Sequence, residues 1–263
     1  MNITVLMENT ALEEGYRFDH GLSLDIQTEK HHILFDMGPS ADFAANAAHA
    51  GIDLSAVDLA VLSHGHFDHG GGLETFLALN DHAPVYLSRH AFEPHYAEPR
   101  RFIGLKAELA ADPRMVFVDQ SLVIDEELEL LTYNDQPRPY VMDAYGLFYE
   151  KNGELVPDDF RHEQYLLIRE GGRRVLISGC SHKGVLNLMH WCRPDVLIGG
   201  FHFMKVEMDG PGLAVLNEAA DGLMAYPAQY YTCHCTGAPQ YAYLQTRMDG
   251  RLHYLATGQR LTL

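Results

Sequence analysis

Residues 62–73 read Leu62-Ser-His-Gly-His-Phe-Asp-His-Gly-Gly-Gly-Leu73, and this stretch decides what fold the chain adopts. An apolar run ends at Leu62 and predicts a buried strand, so the polar side chains that follow lie on the loop after it. Neutral imidazoles and a carboxylate at this density favour a divalent cation, because zinc, iron and manganese bind these groups. A histidine-rich surface loop is the alternative. The predicted ligands are His64 and His66 for one ion, and Asp68 and His69 for a second.

Three later stretches repeat the same kinds of side chain. They read Ser178-Gly-Cys-Ser-His-Lys-Gly184, Gly199-Gly-Phe-His202 and Cys233-His-Cys-Thr-Gly237. With the first loop and the segments 20–23 and 34–38, they resemble the metallo-β-lactamase superfamily, in the branch that includes the dihydropterin–ribofuranosylaminobenzene 5'-phosphate synthases. The resemblance extends over residues 1–263 and is weakest between 90 and 160. It implies an α/β (α+β) fold, a four-layer αββα sandwich with a metal site at one edge.

The order of the predicted strands and helices agrees with this architecture. A hairpin over residues 22–35 is followed by alternating helices and strands, and a second hairpin over 165–178 begins a similar cycle. We therefore predict a single domain made of two similar halves, at about 1–135 and 160–263. The segment near 90–160 is rich in proline and aromatic residues and is predicted to be an irregular insertion over or near the site.

Further ligands are predicted at strand ends in the second half, because two ions need about three protein ligands each. Cys180 follows a predicted strand, and the resemblance implies a bridging aspartate at this position in most of the superfamily. Its thiolate would favour zinc over magnesium or manganese, and a small buried hydrophobe is the alternative. His234 is predicted as a late ligand, whereas Cys233 and Cys235 would point away from the metal on an extended segment.

Two histidines compete for the last place in the first metal site. His162 lies 18 residues before Cys180, which resembles the spacing of the superfamily's third histidine, and a surface histidine is the alternative. His182 belongs to the Cys-Ser-His motif and is either a ligand or a substrate contact. The sequence leaves the choice between the two open. The catalytic candidates are Asp68, His182 and His202.

Other residues are predicted to support the site. Asp36 should hydrogen-bond a ligand imidazole and fix its tautomer. His202 is placed in the substrate pocket, with a satisfied core histidine as the alternative, and His20 could reach the same pocket. The amides of Gly70–Gly72, at the start of a predicted helix, could receive an anion such as phosphate. The basic side chains that could help are Arg100, Arg101 and Lys183, with a solvated surface position as the alternative for the two arginines.

The bulk properties restrict the partners. A formal net charge of −17 disfavours nucleic acid and anionic lipid, so a small-molecule substrate is expected. The sequence has no apolar run long enough for a membrane span and no signal-peptide pattern, and its four cysteines give no disulfide framework. We therefore expect a reduced, cytoplasmic protein. Tyrosines and methionines over 203–248 could form a homodimer surface or belong to the core.

The predicted function is that of a metal-dependent hydrolase. Two divalent ions, most readily zinc, with iron, manganese or magnesium as alternatives, would activate water against a small, anionic ester or phosphoester. The resemblance implies a second possibility, a transferase like the 7,8-dihydropterin-6-methyl-4-(β-D-ribofuranosyl)aminobenzene 5'-phosphate synthase. A metal-bound binding protein without turnover is the third. The same ligands serve all three, so the substrate, the metal and the oligomeric state stay open.

Overall fold

The computed structural model describes residues 1–98, 100–141 and 143–263, and its regular elements are short. The strands in chain order are β1 (Asn2–Met7), β2 (Ser23–Gln27), β3 (His32–Phe35), β4 (Leu59–Val61), β5 (Val85–Ser88), β6 (His95–Ala97), β7 (Arg101–Phe102), β8 (Met115–Val118), β9 (Ser121–Val123), β10 (Leu128–Leu131), β11 (Leu147–Lys151), β12 (Glu154–Pro157), β13 (Tyr165–Glu170), β14 (Arg173–Ile177), β15 (Val196–Ile198), β16 (Gln229–Thr232), β17 (Leu252–Tyr254) and β18 (Arg260–Thr262). The helices are α1 (Asp42–Ala50), α2 (Phe67–Gly70), α3 (Leu73–Leu79), α4 (Val185–Cys192), α5 (Gly210–Met224) and α6 (Ala238–Gln245). Short 3₁₀ helices lie at Leu54–Ala56, Ala107–Ala111 and His234–Thr236.

Two seven-stranded mixed sheets repeat one pattern of pairing. The first has the order β18-β1-β2-β3-β4-β5-β8, and the second has the order β17-β16-β15-β14-β13-β10-β9. In each sheet the strands toward one side make three antiparallel pairings, and the strands toward the other side make three parallel pairings. The antiparallel pairs β2–β3 and β13–β14 stand at the change of direction in both sheets, at the places where the sequence predicts hairpins. The parallel strands that follow send their connecting loops to the same edge of each sheet.

The sheets pack face to face because successive residues of a strand point to opposite faces and both faces are apolar. On β14, Val175 and Ile177 enter the core between the sheets, whereas Leu176 packs with the core beneath α4 and α5. On β4, Val61 enters the same central core and Ala60 faces the core beneath α1 and α3. The layers are therefore helix, sheet, sheet and helix, which confirms the predicted four-layer αββα sandwich.

The segment predicted to be irregular near 90–160 contains a third, smaller sheet, and the prediction needs this correction. Its four antiparallel strands have the order β12-β11-β6-β7, and we call it the inserted sheet. These strands have two to five residues, and those of β7 are both exposed, so no apolar alternation marks them in the sequence. Two residues of the segment, Pro99 and Met142, lie outside the described residues. Leu147 and Ile103 of the inserted segment pack with Phe67. Phe67 belongs to the loop at residues 62–73, which we call the metal loop because metal ligands are predicted there. The inserted sheet therefore covers the metal loop.

In the described ranges no helix has both the length and the apolar character to cross a lipid bilayer. The longest of them, α5, has 15 residues and is therefore about 22 Å long, less than the hydrocarbon core of about 30 Å. It begins at Gly210 because Asp209 caps it: the Asp209 carboxylate accepts the N–H of Gly212 at 3.0 Å.

We predict that Val175→Ala lowers the free energy of unfolding by about 2 kcal/mol, because it removes apolar volume between the two sheets. The Val175 side chain is 1% exposed. Val123→Ala is the matched control, since Val123 belongs to the same sheet but is 64% exposed, and its effect should stay below about 0.5 kcal/mol. Urea unfolding of chelator-treated protein measures both changes. Equal losses at the two positions would contradict the packing described above.

Candidate metal centre

Loops from both sheets meet at one edge of the sandwich. The loop after β4 carries the first histidine motif, and the loops after β14, β15 and β16 carry the three later motifs. Because parallel strands end at the same edge, side chains far apart in the sequence come together there. The residues that meet are His64, His66, Asp68, His69, Cys180, His182, His202 and His234.

His64, His66 and His182 form the first group of possible metal ligands. All three are buried, and one nitrogen of each ring lies within 4.8 Å of the others. The Nε2 atoms of His64 and His182 are 3.3 Å apart. Two nitrogens bound to one tetrahedral zinc ion at about 2.0–2.1 Å are separated by about 3.3 Å, so these rings have the spacing of two ligands of one ion.

Asp68, His69 and His234 form the second group, and Cys180 lies beside it. His69 Nε2 is 3.2 Å from His234 Nε2 and 3.2 Å from Cys180 Sγ. Asp68 Oδ2 is 3.4 Å from His234 Nε2 and 3.9 Å from His69 Nε2. Cys180 also groups with His64 and His69, so its thiol lies between the two groups. Histidine, carboxylate and thiolate donors at these distances are able to hold divalent cations.

Polar groups behind the ligands fix the orientation of the His64 and His69 rings. His64 Nδ1 donates to Ser63 Oγ at 2.8 Å, and Ser63 Oγ donates to Asp36 Oδ2 at 2.7 Å. The same Asp36 oxygen accepts from His69 Nδ1 at 2.6 Å. Each of these rings therefore has a proton on Nδ1 and directs Nε2 toward the centre, the orientation in which Nε2 binds a metal ion. Asp36 has the role that the sequence suggests, and it supports two rings.

His234 is held in the same way by residues that the sequence analysis missed. Asn9 Oδ1 accepts from His234 Nδ1 at 2.9 Å, and Glu8 Oε1 accepts the His234 backbone N–H at 2.7 Å. Both residues follow β1, at the far end of the chain from His234. The segment Glu8-Asn9 shows no motif in the sequence, because polar residues after a strand are common at any turn.

The electrostatics of the first group suit metal binding. Burial, reinforced by the neighbouring imidazoles, lowers the pKa of His64, His66 and His182 well below the usual histidine value. These rings are therefore neutral near pH 7, which is the form that binds a metal ion. For His66, moreover, Nε2 is buried and finds no hydrogen-bond partner among the described residues.

The second group carries more charge. Burial opposes ionisation of Asp68, but the imidazoles of His69 and His234 hold the pKa of that carboxyl well below its usual range. Burial also lowers the pKa of His69, but Asp36 and Asp68 outweigh it and raise that pKa to about 9. A cation bound at His69 would replace this proton, so metal binding at the second group should release a proton.

His162 belongs to a different group from His64 and His182. It is fully buried, so the alternative of a surface histidine is wrong. Its Nδ1 accepts the backbone N–H of Gly65 at 3.0 Å, and its Nε2 is 3.3 Å from Asp158 Oδ2. The structure thus places His182 beside His64, and places His162 behind the loop with Asp158.

A cavity of about 150 Å³ opens above the ligands. His202 lines it, and neither ring nitrogen of His202 has a hydrogen-bond partner in the described part of the chain. His20 also lines it, with Nε2 3.4 Å from Asp68 Oδ2. Two exposed cationic residues, Arg101 of the inserted sheet and Lys205, stand at the same cavity. Arg101 is one of the basic residues that the sequence suggests for the site, whereas Lys205 lies in no motif and is not predictable from the sequence.

The other basic candidates lie elsewhere. Lys183 is fully buried, and its Nζ donates to the carbonyl oxygens of Thr132 and Glu163 at 2.6 and 2.8 Å. Arg100 lines a separate hollow beside β6 and β12. The glycines at 70–72 are closely packed: a Cβ would overlap the Leu105 side chain at Gly70, the Pro39 carbonyl oxygen at Gly71 and the Met37 carbonyl oxygen at Gly72. Close packing, rather than anion binding, accounts for glycine there.

The orientation predicted for Cys235 is wrong. Its side chain lines the cavity and groups with Cys180 and His234, whereas Cys233 is buried in the core between the sheets. The prediction assumed an extended segment, but residues His234–Thr236 form a 3₁₀ turn, and His234 has a φ of 49°. Side chains on such a turn do not alternate between opposite sides.

Comparison with known proteins agrees with this geometry. The family model of the metallo-β-lactamase superfamily matches residues 17–189. The chain belongs to the metallo-β-lactamase superfamily. This membership confirms the resemblance drawn from the motifs, and the superfamily is one in which divalent metal binding is expected.

Three similar proteins align with between 83% and 100% of this chain. An uncharacterised protein of Methanocaldococcus jannaschii is 27% identical over 245 residues, 89% of this chain and 90% of the relative. The 7,8-dihydropterin-6-methyl-4-(β-D-ribofuranosyl)-aminobenzene-5'-phosphate synthase of the same organism is 27% identical over 248 residues, 83% of this chain and 81% of the synthase. The crystal structure of Tm1679, described as a metal-dependent hydrolase of the β-lactamase superfamily, has a TM-score of 0.85 and 27% identity, covering 100% of this chain and 99% of that one.

We predict that this metallo-β-lactamase superfamily member loses about one equivalent of bound metal on either His182→Ala or His234→Ala, because each change removes a ligand from a different group. Mass spectrometry of the metal content after equilibration with zinc measures the loss. His190→Ala, which alters an exposed histidine of α4, is the control and should bind as much as the wild type. Full zinc content in both ligand variants would contradict the two groups as assigned.

Proposed function

We propose that this protein is a metal-dependent hydrolase of a small anionic ester or phosphoester, with two divalent ions, most readily zinc. The observation that carries the proposal is the position of the two ligand groups: they meet beneath one small cavity, and two cationic side chains stand at that cavity. The Cys180 thiol between the groups supports zinc, since thiolate prefers softer ions to magnesium or manganese. A structural neighbour at 27% identity is described as a metal-dependent hydrolase, which agrees with this assignment.

Two bound ions would supply activated water near neutral pH and stabilise negative charge at the attacked centre. The residues that would hold them are His64, His66 and His182 for one ion and Asp68, His69 and His234 for the other, with Cys180 between them. Asp68 stays ionised and lies at the cavity, so its carboxylate either binds an ion or orients the attacking water.

Arg101 and Lys205 would bind the anionic part of the substrate. The Arg101 guanidinium carbon lies 5.8 Å from the centre of the Phe67 ring, and Lys205 Nζ donates to the Tyr145 carbonyl oxygen at 2.6 Å. Both cations are thus held near the cavity. The chain has a net charge of −17, so two cations here make the cavity locally attractive to an anion that the rest of the surface repels.

His202 is the candidate for moving a proton at the leaving group. It lines the cavity, and its ring nitrogens are not engaged by other described residues, so one can donate while the other accepts. Its ring lies 4.3 Å from that of His182 and 5.5 Å from that of Tyr145. In this proposal His182 is a metal ligand and His202 is the histidine that meets the substrate.

A transferase like the dihydropterin phosphate synthase is the second candidate. The synthase of M. jannaschii supports it, because the two chains align over 81% of the synthase. In that reaction Arg101 and Lys205 would hold a diphosphate leaving group. We place the hydrolase first because the structural neighbour with a TM-score of 0.85 is described as a metal-dependent hydrolase.

Hydrolysis of bis(p-nitrophenyl) phosphate tests the proposed function. We expect metal-dependent release of p-nitrophenol, and a decrease of at least about 100-fold in His64→Ala, because losing a ligand should cost more than losing a group behind one. His190→Ala should keep the wild-type rate. Turnover of a dihydropterin diphosphate with no ester hydrolysis would select the synthase instead. A protein that binds metal but turns over neither substrate class would be a binding protein.

We further predict that Arg101→Met raises KM for bis(p-nitrophenyl) phosphate by about 10-fold, the effect of losing one ionic contact of about 1.4 kcal/mol. The neutral substrate p-nitrophenyl acetate should be hydrolysed as before. Arg100→Met is the matched control, because Arg100 is the adjacent arginine and lines a different hollow. If KM rose equally in both variants, or rose equally for both substrates, recognition of the anion by Arg101 would be disproved.

A further inference from the structure

A group of buried polar side chains lies against His66, and the proposed function makes no use of it. The group consists of His95 on β6 and of Asp158 and His162 in the segment after β12, and we call it the Asp158 cluster. Its members are between 0% and 6% exposed. One nitrogen of each histidine, one nitrogen of His66 and one oxygen of Asp158 all lie within 4.8 Å of one another.

The hydrogen bonds of His162 fix its tautomer. Its Nδ1 lies 3.0 Å from the backbone nitrogen of Gly65, which can only donate, so Nδ1 is the acceptor. A neutral imidazole carries one proton, and that proton must therefore be on Nε2. Asp158 Oδ2 lies 3.3 Å from this Nε2. His162 thus lies between the Gly65 backbone, to which it is hydrogen-bonded, and the Asp158 carboxylate, which its Nε2 contacts.

His95 is tied to the same carboxylate. Its Nδ1 is 3.0 Å from Asp158 Oδ2, and the carboxylate accepts, so Nδ1 carries the proton of the His95 ring. Asp158 Oδ1 accepts the Phe160 N–H at 2.7 Å, which orients the carboxylate. The His66 ring lies 5.5 Å from the His95 ring and 4.9 Å from the His162 ring, in contact with both. The cluster therefore borders one metal-ligand ring and holds the backbone next to it.

Three histidines and an aspartate are also a set that zinc binds, so a third ion must be weighed. His162 decides against it. The Nδ1 lone pair receives the Gly65 N–H and Nε2 carries the proton, so this ring has no lone pair left for a metal ion. Asp158 already accepts from His95 and from the Phe160 amide. These hydrogen bonds favour a cluster that supports the loop over a third metal-binding site.

We propose that Asp158, with His95 and His162, positions the metal loop: the cluster fixes the Gly65 backbone and the His66 ring from behind, so that His66 is held ready for the first ion. The proposal rests on the metal centre of the proposed function. The loop has little freedom to absorb a change, because a Cβ on Gly65 would overlap the Ala91 carbonyl oxygen. Loss of the carboxylate should therefore displace the His66 ring, because the loop has no room to rearrange and compensate.

Asp158→Asn tests this role with little change of shape. The amide removes the negative charge that faces His95 and His162, so zinc affinity should fall about 10- to 100-fold, the usual effect of removing a group behind a ligand. Two equivalents should still bind at saturating zinc. Asp159→Asn, at the adjacent exposed carboxylate, is the control and should bind zinc like the wild type. Competition with a chelating indicator gives the affinity, and the absorption of the cobalt-substituted protein reports the ligand geometry.

A pair of variants at His162 gives a second test, which stands even if Asp158→Asn does not fold. His162→Ala should weaken zinc binding while keeping two equivalents at saturation. His162→Asn should restore most of the affinity, because its side-chain oxygen can accept the Gly65 N–H. Loss of a whole equivalent in His162→Ala, without rescue by asparagine, would make His162 a ligand and overturn the proposal.

Other outcomes separate this proposal from the proposed function. Unchanged zinc affinity in both Asp158→Asn and His162→Ala would overturn the positioning role alone. Three equivalents in the wild type that fall to two in Asp158→Asn would also overturn it, in favour of a third ion. These measurements use no substrate, so a protein that binds two ions and hydrolyses nothing fails the proposed function and leaves the positioning role supported. Zinc binding below half an equivalent in the wild type would overturn both.

Discussion

The burial of many imidazoles in one small volume is the constraint on which this structure depends. Burial disfavours the charged form of histidine, and a buried ring nitrogen without a partner is costly. The fold meets this constraint in a regular way. In His64, His69 and His234 the Nδ1–H group donates a hydrogen bond to Ser63, Asp36 and Asn9 respectively. The three Nε2 atoms therefore face the centre. A cation is the partner that satisfies several such lone pairs at once, so the site and its ion stabilise one another.

Close approach of backbone segments is what allows this density of side chains. Gly65 packs against the Ala91 carbonyl, and a Cβ on Gly179 would overlap Ser63 Oγ, the atom that joins His64 to Asp36. Asp36 itself has a φ of 58°, a conformation uncommon in residues other than glycine, and its side chain bonds Ser63 and His69 from that position. Glycines at the contacts and one strained aspartate are therefore parts of the centre as much as the ligands are. Substitution of one of these glycines or of Asp36 would displace the ligand side chains although it changes no ligand residue.

Much of the fold could be predicted from the sequence, because the local periodicity of the strands also determines at which edge of the sheets the loops meet. The apolar run before Ser63 and the hairpins at 22–35 and 165–178 have the periodicity of buried strands, and the parallel strands that follow force their loops to one edge. The side chains of the four motifs meet there as the resemblance implies. The inserted sheet could not be predicted, since its strands have only two to five residues and both residues of β7 are exposed, so the periodicity is too short to recognise. Cys235 was misplaced because the turn at His234–Thr236 breaks the alternation of an extended chain.

The residues that the sequence did not reveal share a physical reason. Asn9, Lys205 and His95 act through position alone, and nothing in the residues next to them distinguishes them from ordinary surface or core polar groups. His162 shows the opposite case: its spacing suggests a ligand, but one backbone hydrogen bond from Gly65 changes which nitrogen carries the proton. Spacing in a sequence indicates which residues come near a site. The direction of a single N–H decides what they do there.

In the function proposed above, the inserted sheet joins substrate recognition to the support of the metal loop. Ala97 of β6 pairs with Arg101 of β7, and His95 lies two residues before Ala97 on the same strand. Arg101 of this small sheet thus lies at the cavity. His95 of the same sheet and the nearby Asp158 lie close to His66. A displacement of β6 relative to the sandwich would change both the position of Arg101, the proposed anion contact, and the hydrogen bonds of the Asp158 cluster behind His66. Changes in this segment should therefore alter substrate preference and metal affinity jointly, whereas changes in the sandwich core act on stability.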